Sequence, residues 1–227
     1  MTKVPALSVV IPTLNAAARL RPCLKAVKAW PGALEIVVID GGSDDDTVAI
    51  AHAQDAKVLP SELGRGLQLE RGGAAAKSDW LLFLHADTVL APAWTQAALA
   101  MMRAEGRARA ATFRLRLDDP SPAARRVERL VAWRCERLGL PYGDQGLLIP
   151  RALYDSVGGY RKLPLMEDVD LIRRIGLGNV VLLGADAVTS AVRYRRDGWW
   201  WRPSRNLFCL ALYFLGLPLR WIAKVYG

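Results

Sequence analysis

Trp80-Leu-Leu-Phe-Leu-His-Ala-Asp87-Thr88 drives a continuous apolar run straight into a histidine and a carboxylate. A run of this kind reads as a buried strand whose first polar residues face the edge of a sheet. Two earlier runs end the same way. Leu7-Ser-Val-Val-Ile11 passes into Pro12-Thr13-Leu14-Asn15, and Ile36-Val-Val-Ile39 passes into Asp40-Gly-Gly42-Ser43-Asp-Asp-Asp46-Thr47. In open α/β sheets ligands bind at the carboxyl ends of the strands. Three strands therefore deliver Thr13, Asn15, Asp40, His85 and Asp87 to one rim.

Around this rim the chain alternates. Leu20, Leu24 and Val27 have helical spacing over 16–29, stopped by Pro31-Gly32. Ser43-Asp-Asp-Asp46 fits a helix-capping pattern, so a second helix is expected from there toward Gln54. A short strand over 56–59, a helix over 67–76 after Gly64-Arg65-Gly66, the strand over 80–85 and a helix over 92–105 follow. This order predicts an α/β fold with a mostly parallel sheet covered on both faces. Beyond Ala110 the reading is a strand to Leu117, then a helix over 123–138 with Val127, Leu130, Val131 and Leu138 on its apolar side. A loop over 141–146, a strand over 147–149, a helix over 151–157, a helix from Met166 through Ile175 and a last strand over 180–183 complete it.

With 227 residues, 52% of them hydrophobic, one sizeable core is expected rather than a disordered chain. Cys23, Cys135 and Cys209 are far apart and lack CxxC spacing, which excludes a disulfide framework and a zinc cluster. The start of the sequence lacks a basic region followed by an apolar run, so a cytoplasmic location is expected. The net charge of +9 arises after residue 100, with Arg193, Arg195, Arg196, Arg202 and Arg205 clustered around one acid, Asp197. An anionic lipid, a diphosphate or nucleic acid fits such a cluster.

Two readings compete at each candidate. Asp87 either caps the helix expected near Pro92 or holds a cation, because Asp40, Asp44, Asp45, Asp46 and Asp87 on one edge repel one another. Hard oxygen ligands suit Mg²⁺ or Mn²⁺ held by one or two carboxylates plus substrate phosphates. His85 can ligate that metal as neutral imidazole or bond a phosphate. Asp40 either takes the donor hydrogens of a base or ribose or closes an Asx-turn before Gly41-Gly42. Glu167-Asp168-Val169-Asp170 complements a helix dipole, and one of its carboxylates near the metal is what a general base for a hydroxyl requires.

Together, Pro12-Thr-Leu-Asn15, Ile39-Asp40-Gly-Gly42-Ser43-x-Asp45-x-Thr47, Phe83-Leu-His-Ala-Asp87 and Glu167-Asp168 resemble the family-2 inverting glycosyltransferases of GT-A fold, over roughly residues 5–185. Phe83-Leu-His-Ala-Asp-Thr88, Tyr142-Gly-Asp-Gln-Gly146 and Met166-Glu-Asp-Val-Asp-Leu171 are similar to the bacterial subgroup called rSAM/selenodomain-associated transferase 2. The resemblance implies a Rossmann-like nucleotide-diphospho-sugar transferase domain over 1–190, followed by a basic, aromatic and apolar extension over 191–227. It implies that Pro12, Thr13, Asn15, Asp40, Gly42 and Arg65 serve the nucleotide. Asp87, with His85 in place of the family's first acid, would serve Mg²⁺ or Mn²⁺. Asp168, supported by Glu167, would be the catalytic base. Asp144 and Gln145 would meet acceptor or donor, and Arg193 and Arg195 would support the phosphates. A UDP-sugar is the expected donor and a hydroxyl compound the acceptor.

No G-x-G-x-x-G follows the first strand, which disfavours a dehydrogenase. A nucleotidyltransferase would need a glycine-rich basic loop there, and a basic module binding membrane or nucleic acid is the non-catalytic alternative. No recognised nucleic-acid motif accompanies Trp199-Trp-Trp-Arg202, so nucleic acid is not an expected partner. Leu207 to Leu219 is uncharged but too short to span a bilayer of about 30 Å. Being apolar all round, it must bury itself on the core, in a homodimer interface or in lipid. Tryptophans beside arginines predict peripheral contact through 199–220 with the inner face of a membrane, and a lipid-linked acceptor.

Overall fold

The computed structural model describes residues 4–104 and 108–226, with the Leu177 side chain left out. Its first part is β1 (Leu7–Thr13), α1 (Ala17–Val27), β2 (Leu34–Asp40), α2 (Thr47–His52), β3 (Lys57–Pro60), α3 (Arg65–Ala75) and β4 (Trp80–Phe83). Then come β5 (Thr88–Leu90), α4 (Trp94–Ala104), β6 (Ala110–Leu117), α5 (Pro122–Leu138), β7 (Leu147–Pro150), α6 (Arg151–Ser156) and α7 (Glu167–Ile175). The chain ends with β8 (Val180–Thr189), α8 (Val192–Asp197), α9 (Trp201–Phe214) and α10 (Leu219–Tyr226). One sheet holds all eight strands in the order β3-β2-β1-β4-β7-β6-β8-β5.

Strands β1 to β4 pair in parallel because each returns through a crossover helix. β7 enters antiparallel between β4 and β6, and β5 lies antiparallel against β8. Alternate strand residues face opposite cores. Val9, Ile11, Val38 and Leu82 join one cluster, which includes α1 and α4 residues, while Val10, Val37, Ile39 and Phe83 join the other, with residues of α3 and α7. A fully buried Leu or Ile of this kind contributes about 1.5–3 kcal/mol of transfer free energy, so the sheet cannot slip register without losing both faces. Gly72 of α3 is required by close approach: a Cβ there would lie 2.2 Å from Val10 Cγ1.

Several expectations are corrected. Ser43 does not cap a helix. α2 starts at Thr47, and the Ser43 hydroxyl instead accepts from Asn15 N at 2.9 Å and donates to Asp40 at 2.6 Å. Thr88–Leu90 pairs as a strand rather than running toward a helix, and α4 begins at Trp94; Glu105, its expected end, is outside the described residues. β8 runs on from Leu183 to Thr189, carrying the chain back to the strand-end rim. On α5, Leu130 and Leu138 are exposed. The buried side carries Ala124, Val127, Val131 and Glu128, whose carboxylate accepts from Leu117 N at 2.8 Å and pairs with Arg116 and Arg125 at 2.7 Å.

Part of the chain beyond residue 190 packs on the core. Cys209, Leu210 and Ile222 of α9 and α10 are buried in the same cluster as Val169 and Ile172 of α7. The outer side of these helices is different: Trp200, Trp201, Leu207, Phe208, Leu215 and Trp221 are all exposed. No helix among the described residues is long and apolar enough to cross a membrane.

Candidate active site

At the carboxyl ends of β1 and β4 lies a cleft of about 530 Å³, lined by Pro12, Thr13, Asn15, Arg19, Gln68 and Arg65. A smaller chamber of about 100 Å³ adjoins it, lined by Tyr142, Gly143, Asp144, Asp168, Arg202 and Asn206. His85, Asp87, Arg65, Ser190, Arg193 and Tyr226 line both, so they form the common wall.

The floor of the larger cleft is tied by hydrogen bonds across strand ends. Gln68 of α3, buried, donates through Nε2 to Thr13 O and Ile39 O, both at 2.8 Å. Asp40 is equally engaged. Its Oδ1 accepts from Thr13 Oγ1 at 2.9 Å and from Ser43 Oγ, and its Oδ2 accepts from Ser43 N at 2.8 Å and Gly42 N at 3.0 Å. Burial works to raise its pKa, but these bonds outweigh it and hold the carboxyl below its ordinary value. This is the Asx-turn reading of Asp40, and neither it nor Gly42 lines the cleft. Asn15, at φ +48, carries the turn after β1 in the left-handed region that asparagine tolerates, and its side chain accepts from Asp44 N.

The acids on this edge therefore do not form a cation-binding cluster. Asp45 accepts from Ala17 N at 3.0 Å and Thr47 N at 2.9 Å, joining the starts of α1 and α2. Among the described residues no group of three or more His, Cys, Asp or Glu could hold a metal. Asp87 is different. It caps no helix, its carboxylate has no hydrogen-bond or ion-pair partner among the described residues, and it stands in the common wall. His85 lies beside it, kept neutral by burial first and then by the Arg65 and Arg193 charges, which press its pKa to about 3. Its Nε2 is so near Gly143 that a Cβ there would be only 2.8 Å away, so any larger residue at that point would displace the imidazole. One carboxylate and one neutral imidazole fit Mg²⁺ or Mn²⁺ when diphosphate oxygens supply the remaining ligands.

Asp168 stands in the first turn of α7, which Met166 enters at φ +61. Its Oδ2 accepts from Gly143 N at 2.8 Å, so the loop after α5 fixes its direction. Glu167, buried, is bound to Arg65. Burial raises its pKa while the Arg65 guanidinium works against the rise, and the pair locks α7 to α3. Burial lifts the Asp144 pKa to about 6 despite Arg134, with Asp168 and Asp87 adding repulsion.

Two expected contacts are corrected. Gln145 is buried and turned into the core, its Nε2 donating to Phe113 O at 2.9 Å and its Oε1 receiving from Tyr142 N at 3.3 Å. It lines neither chamber. Arg195 is held outside the cleft by Asp119 at 2.8 Å and Asp118 at 3.3 Å, whereas Arg193 reaches both chambers and has no ion-pair partner among the described residues. Of the other clustered arginines, Arg196, Arg202 and Arg205 converge on Asp197. Gln68, Tyr142, Ser190, Asn206 and Tyr226 escaped the sequence reading. Two of them carried a signal, Tyr142 as the first residue of the Tyr142-Gly-Asp-Gln-Gly146 motif and Gln68 as a polar residue between Leu67 and Leu69 on a packed helix.

Residues 8–161 match the family described as Glycosyl transferase family 2. The chain is 38% identical over 104 residues to a PGL/p-HBAD biosynthesis glycosyltransferase of Mycobacterium bovis, an overlap of 42% of this chain and 41% of the relative. It is 33% identical over 192 residues to the succinoglycan biosynthesis protein ExoU of Rhizobium meliloti, covering 73% of this chain and 55% of ExoU. The aligned parts thus span about two fifths and just over half of these relatives. In structure it is similar to glucosyl-3-phosphoglycerate synthase of Mycobacterium tuberculosis, solved with Mn²⁺, UDP-glucose and phosphoglyceric acid. That match has a TM-score of 0.63 and 21% identity, over 94% of this chain and 81% of the other. Mannosyltransferase PcManGT of Pyrobaculum calidifontis, solved with GDP-mannose and Mn²⁺, matches at TM-score 0.66 and 17% identity, over 90% of this chain and 61% of the other.

Proposed function

The chain belongs to glycosyl transferase family 2, and from that premise we propose that it moves a sugar, with inversion, from a UDP-sugar to a hydroxyl acceptor with Mg²⁺ or Mn²⁺ bound. The observation that carries this reading is the free Asp87 carboxylate in the wall between a large cleft and a small chamber that contains Asp168. The relatives' UDP, Mn²⁺ and Mg²⁺ support the choice of donor and metal. Within the family we place the chain with the rSAM/selenodomain-associated transferases 2, on the three motifs quoted above.

In this reading Pro12, Thr13 and Asn15 hold the nucleotide, and Asp40 and Gly42 act through the loop that shapes Thr13. Asp87 and His85 would hold the metal, which when bound neutralises the diphosphate. Arg193 adds charge to the departing diphosphate, and Arg65 stands beside it. Asp168, aimed by Gly143 N, accepts the acceptor hydroxyl's proton while that oxygen bonds to the anomeric carbon and the carbon–diphosphate bond breaks on the opposite face. Attack from one face and departure from the other inverts the centre.

We also assign 1–190 as the catalytic domain and 191–227 as an extension that meets an anionic membrane at the cytoplasmic face. Exposed Trp200, Trp201, Phe208 and Trp221 beside a basic tail suit the headgroup level, and a lipid-linked acceptor follows. Co-sedimentation with anionic liposomes at low salt and no binding of the Trp200→Ser, Trp201→Ser double variant are expected. Concentration-dependent dimers without liposome binding would assign this face to a second copy instead.

The test of the transfer reading is a thermal-shift series with nucleoside diphosphates and their sugars, with and without Mn²⁺. A UDP compound should stabilise the chain by RT ln(1 + [L]/Kd) with Mn²⁺, and Asp87→Ala should abolish the Mn²⁺-dependent part. Equal shifts without metal, or in Asp87→Ala, would overturn the metal assignment. No shift with any nucleotide would overturn the donor reading.

A further inference from the structure

The smaller chamber has a polarity that sugar transfer alone does not require. Asp144 Oδ1 and Asn206 Oδ1 are buried, and neither has a hydrogen-bond partner among the described residues, while both residues line the chamber. A buried polar atom without a partner costs about 1–3 kcal/mol, so two of them on residues that line one space mark a place where a small rotation of either side chain would meet an arriving hydrogen-bond donor. The two residues come from distant parts of the sequence. Asp144 sits in the loop after α5, and Asn206 sits on α9, so their meeting is a product of the fold.

The charges narrow the donors further. Asp87, Asp144 and Asp168 all line the chamber. Of its three arginines, Arg65 is bound to Glu167 and Arg202 to Asp197 at 2.7 Å, leaving Arg193, which the larger cleft shares. With Asp87 given to the metal and the metal's charge met by the diphosphate, a phosphate or carboxylate entering here would still face Asp144 and Asp168, with Arg193 the one uncommitted cation of the lining. A hydroxyl donates to carboxylates without that repulsion, and an amide such as Asn206 can meet a hydroxyl as acceptor or as donor. The Asn206 face thus matches a group that both gives and receives hydrogen bonds.

We propose that this chamber is selective for a neutral polyhydroxylated group, a sugar or polyol, over a phosphorylated or carboxylated one, and that Asp144 and Asn206 are its specificity-determining pair. The inference deepens the transfer reading, on which its role as the acceptor side depends. It departs from the structural neighbour from Mycobacterium tuberculosis, which was solved with the anion phosphoglyceric acid. It also gives the C-terminal extension a part in selection, since Asn206 lies beyond residue 190.

Ligand-observed NMR on the full chain tests this with methyl α-glucoside and methyl α-mannoside as neutral probes and 3-phosphoglycerate as the anionic one. UDP binding is read separately by calorimetry. At least one glycoside should bind more tightly than 3-phosphoglycerate. That binding should weaken at least tenfold in Asn206→Ala and in Asp144→Asn, with UDP affinity retained and the melting temperature not lowered. Tighter binding of 3-phosphoglycerate, or glycoside binding unchanged in both variants, would overturn the inference. UDP binding without glycoside binding would sink the subsite and leave the transfer reading standing. Glycoside binding at this pair without UDP binding would do the reverse.

Discussion

The first half of the chain reaches the cleft mainly from strand ends, whereas the residues beyond Ser190 reach it from the sides of helices. The first kind of position can be read directly, because an apolar run that stops at a polar residue locates the sheet edge in one dimension. The second kind depends on how a helix rolls against its neighbours. Arg193, Arg202, Asn206 and Tyr226 line the chambers, while Arg195, Arg196 and Trp201 in the same stretch do not. One part of the wall is thus written in the strand pattern, and the rest is set by packing.

The largest effect expected concerns the base, which enters the chamber from the first turn of α7. Asp168→Asn keeps the shape and the bond from Gly143 N but removes the proton acceptor, so turnover should fall about 10³-fold, near 4 kcal/mol, with UDP affinity within about twofold. Initial rates against donor and acceptor concentration separate the two. Near-normal turnover would move the base to Asp144, the other carboxylate of the chamber.

How far the sequence carried the reading follows from the same contrast. The parallel β1 to β4 unit, the rim residues Thr13, Asn15, His85 and Asp87, and the place of Asp168 were legible because each stands at a change from apolar to polar residues. The antiparallel entry of β7 was not legible, since Leu147-Leu-Ile149 has no feature that states its direction. Gln145 was misread because an amide looks identical in sequence whether it faces a ligand or satisfies Phe113 O inside the core. Arg195 was misread for a similar reason: Asp118 and Asp119, its partners, lie more than seventy residues away.

Adjacent positions in α10 sharpen the comparison on the tail. Ile222 is fully buried in the core cluster shared with α7, and Trp221 is 57% exposed. Ile222→Ala should cost about 3 kcal/mol and be visible as a lower denaturation midpoint. Trp221→Ala should change stability by about 0.5 kcal/mol or less and act on liposome binding instead. Equal costs at the two positions would mean that α10 packs differently from the arrangement described.

Asp144 provides a pH signature. Its carboxyl is pushed up to about 6 by burial, with Asp168 and Asp87 adding to the rise and Arg134 and Arg65 opposing it. Between its ordinary value and about 6 the native state holds a proton that the unfolded chain has lost, so this group makes stability fall as pH rises through that window. Asp144→Asn removes the effect. The variant should gain about 2 kcal/mol on wild type between pH 4 and pH 7, with no further gain above. Melts over that range check it, and a constant difference would mean that Asp144 titrates as it does in water.

The smallest effect separates two arginines one turn-half apart on α8. Arg193 lines both chambers and has no ion-pair partner among the described residues, so its charge is available to a diphosphate. Arg195 is half-exposed and committed to Asp119 and Asp118, an arrangement that fastens α8 to the loop before α5. Exposed ion pairs contribute about 0–1 kcal/mol, so Arg195→Ala should lower stability by less than that and leave UDP affinity unchanged. Arg193→Ala removes a charge-assisted contact and should weaken UDP binding about tenfold, or 1.4 kcal/mol, with an unchanged melting temperature. The loss should shrink at high salt, because a contact at the rim of an open cleft is screened. If both variants weakened UDP equally, the tail would act as a diffuse basic surface, and the placement of single side chains on its helices would not matter to the donor.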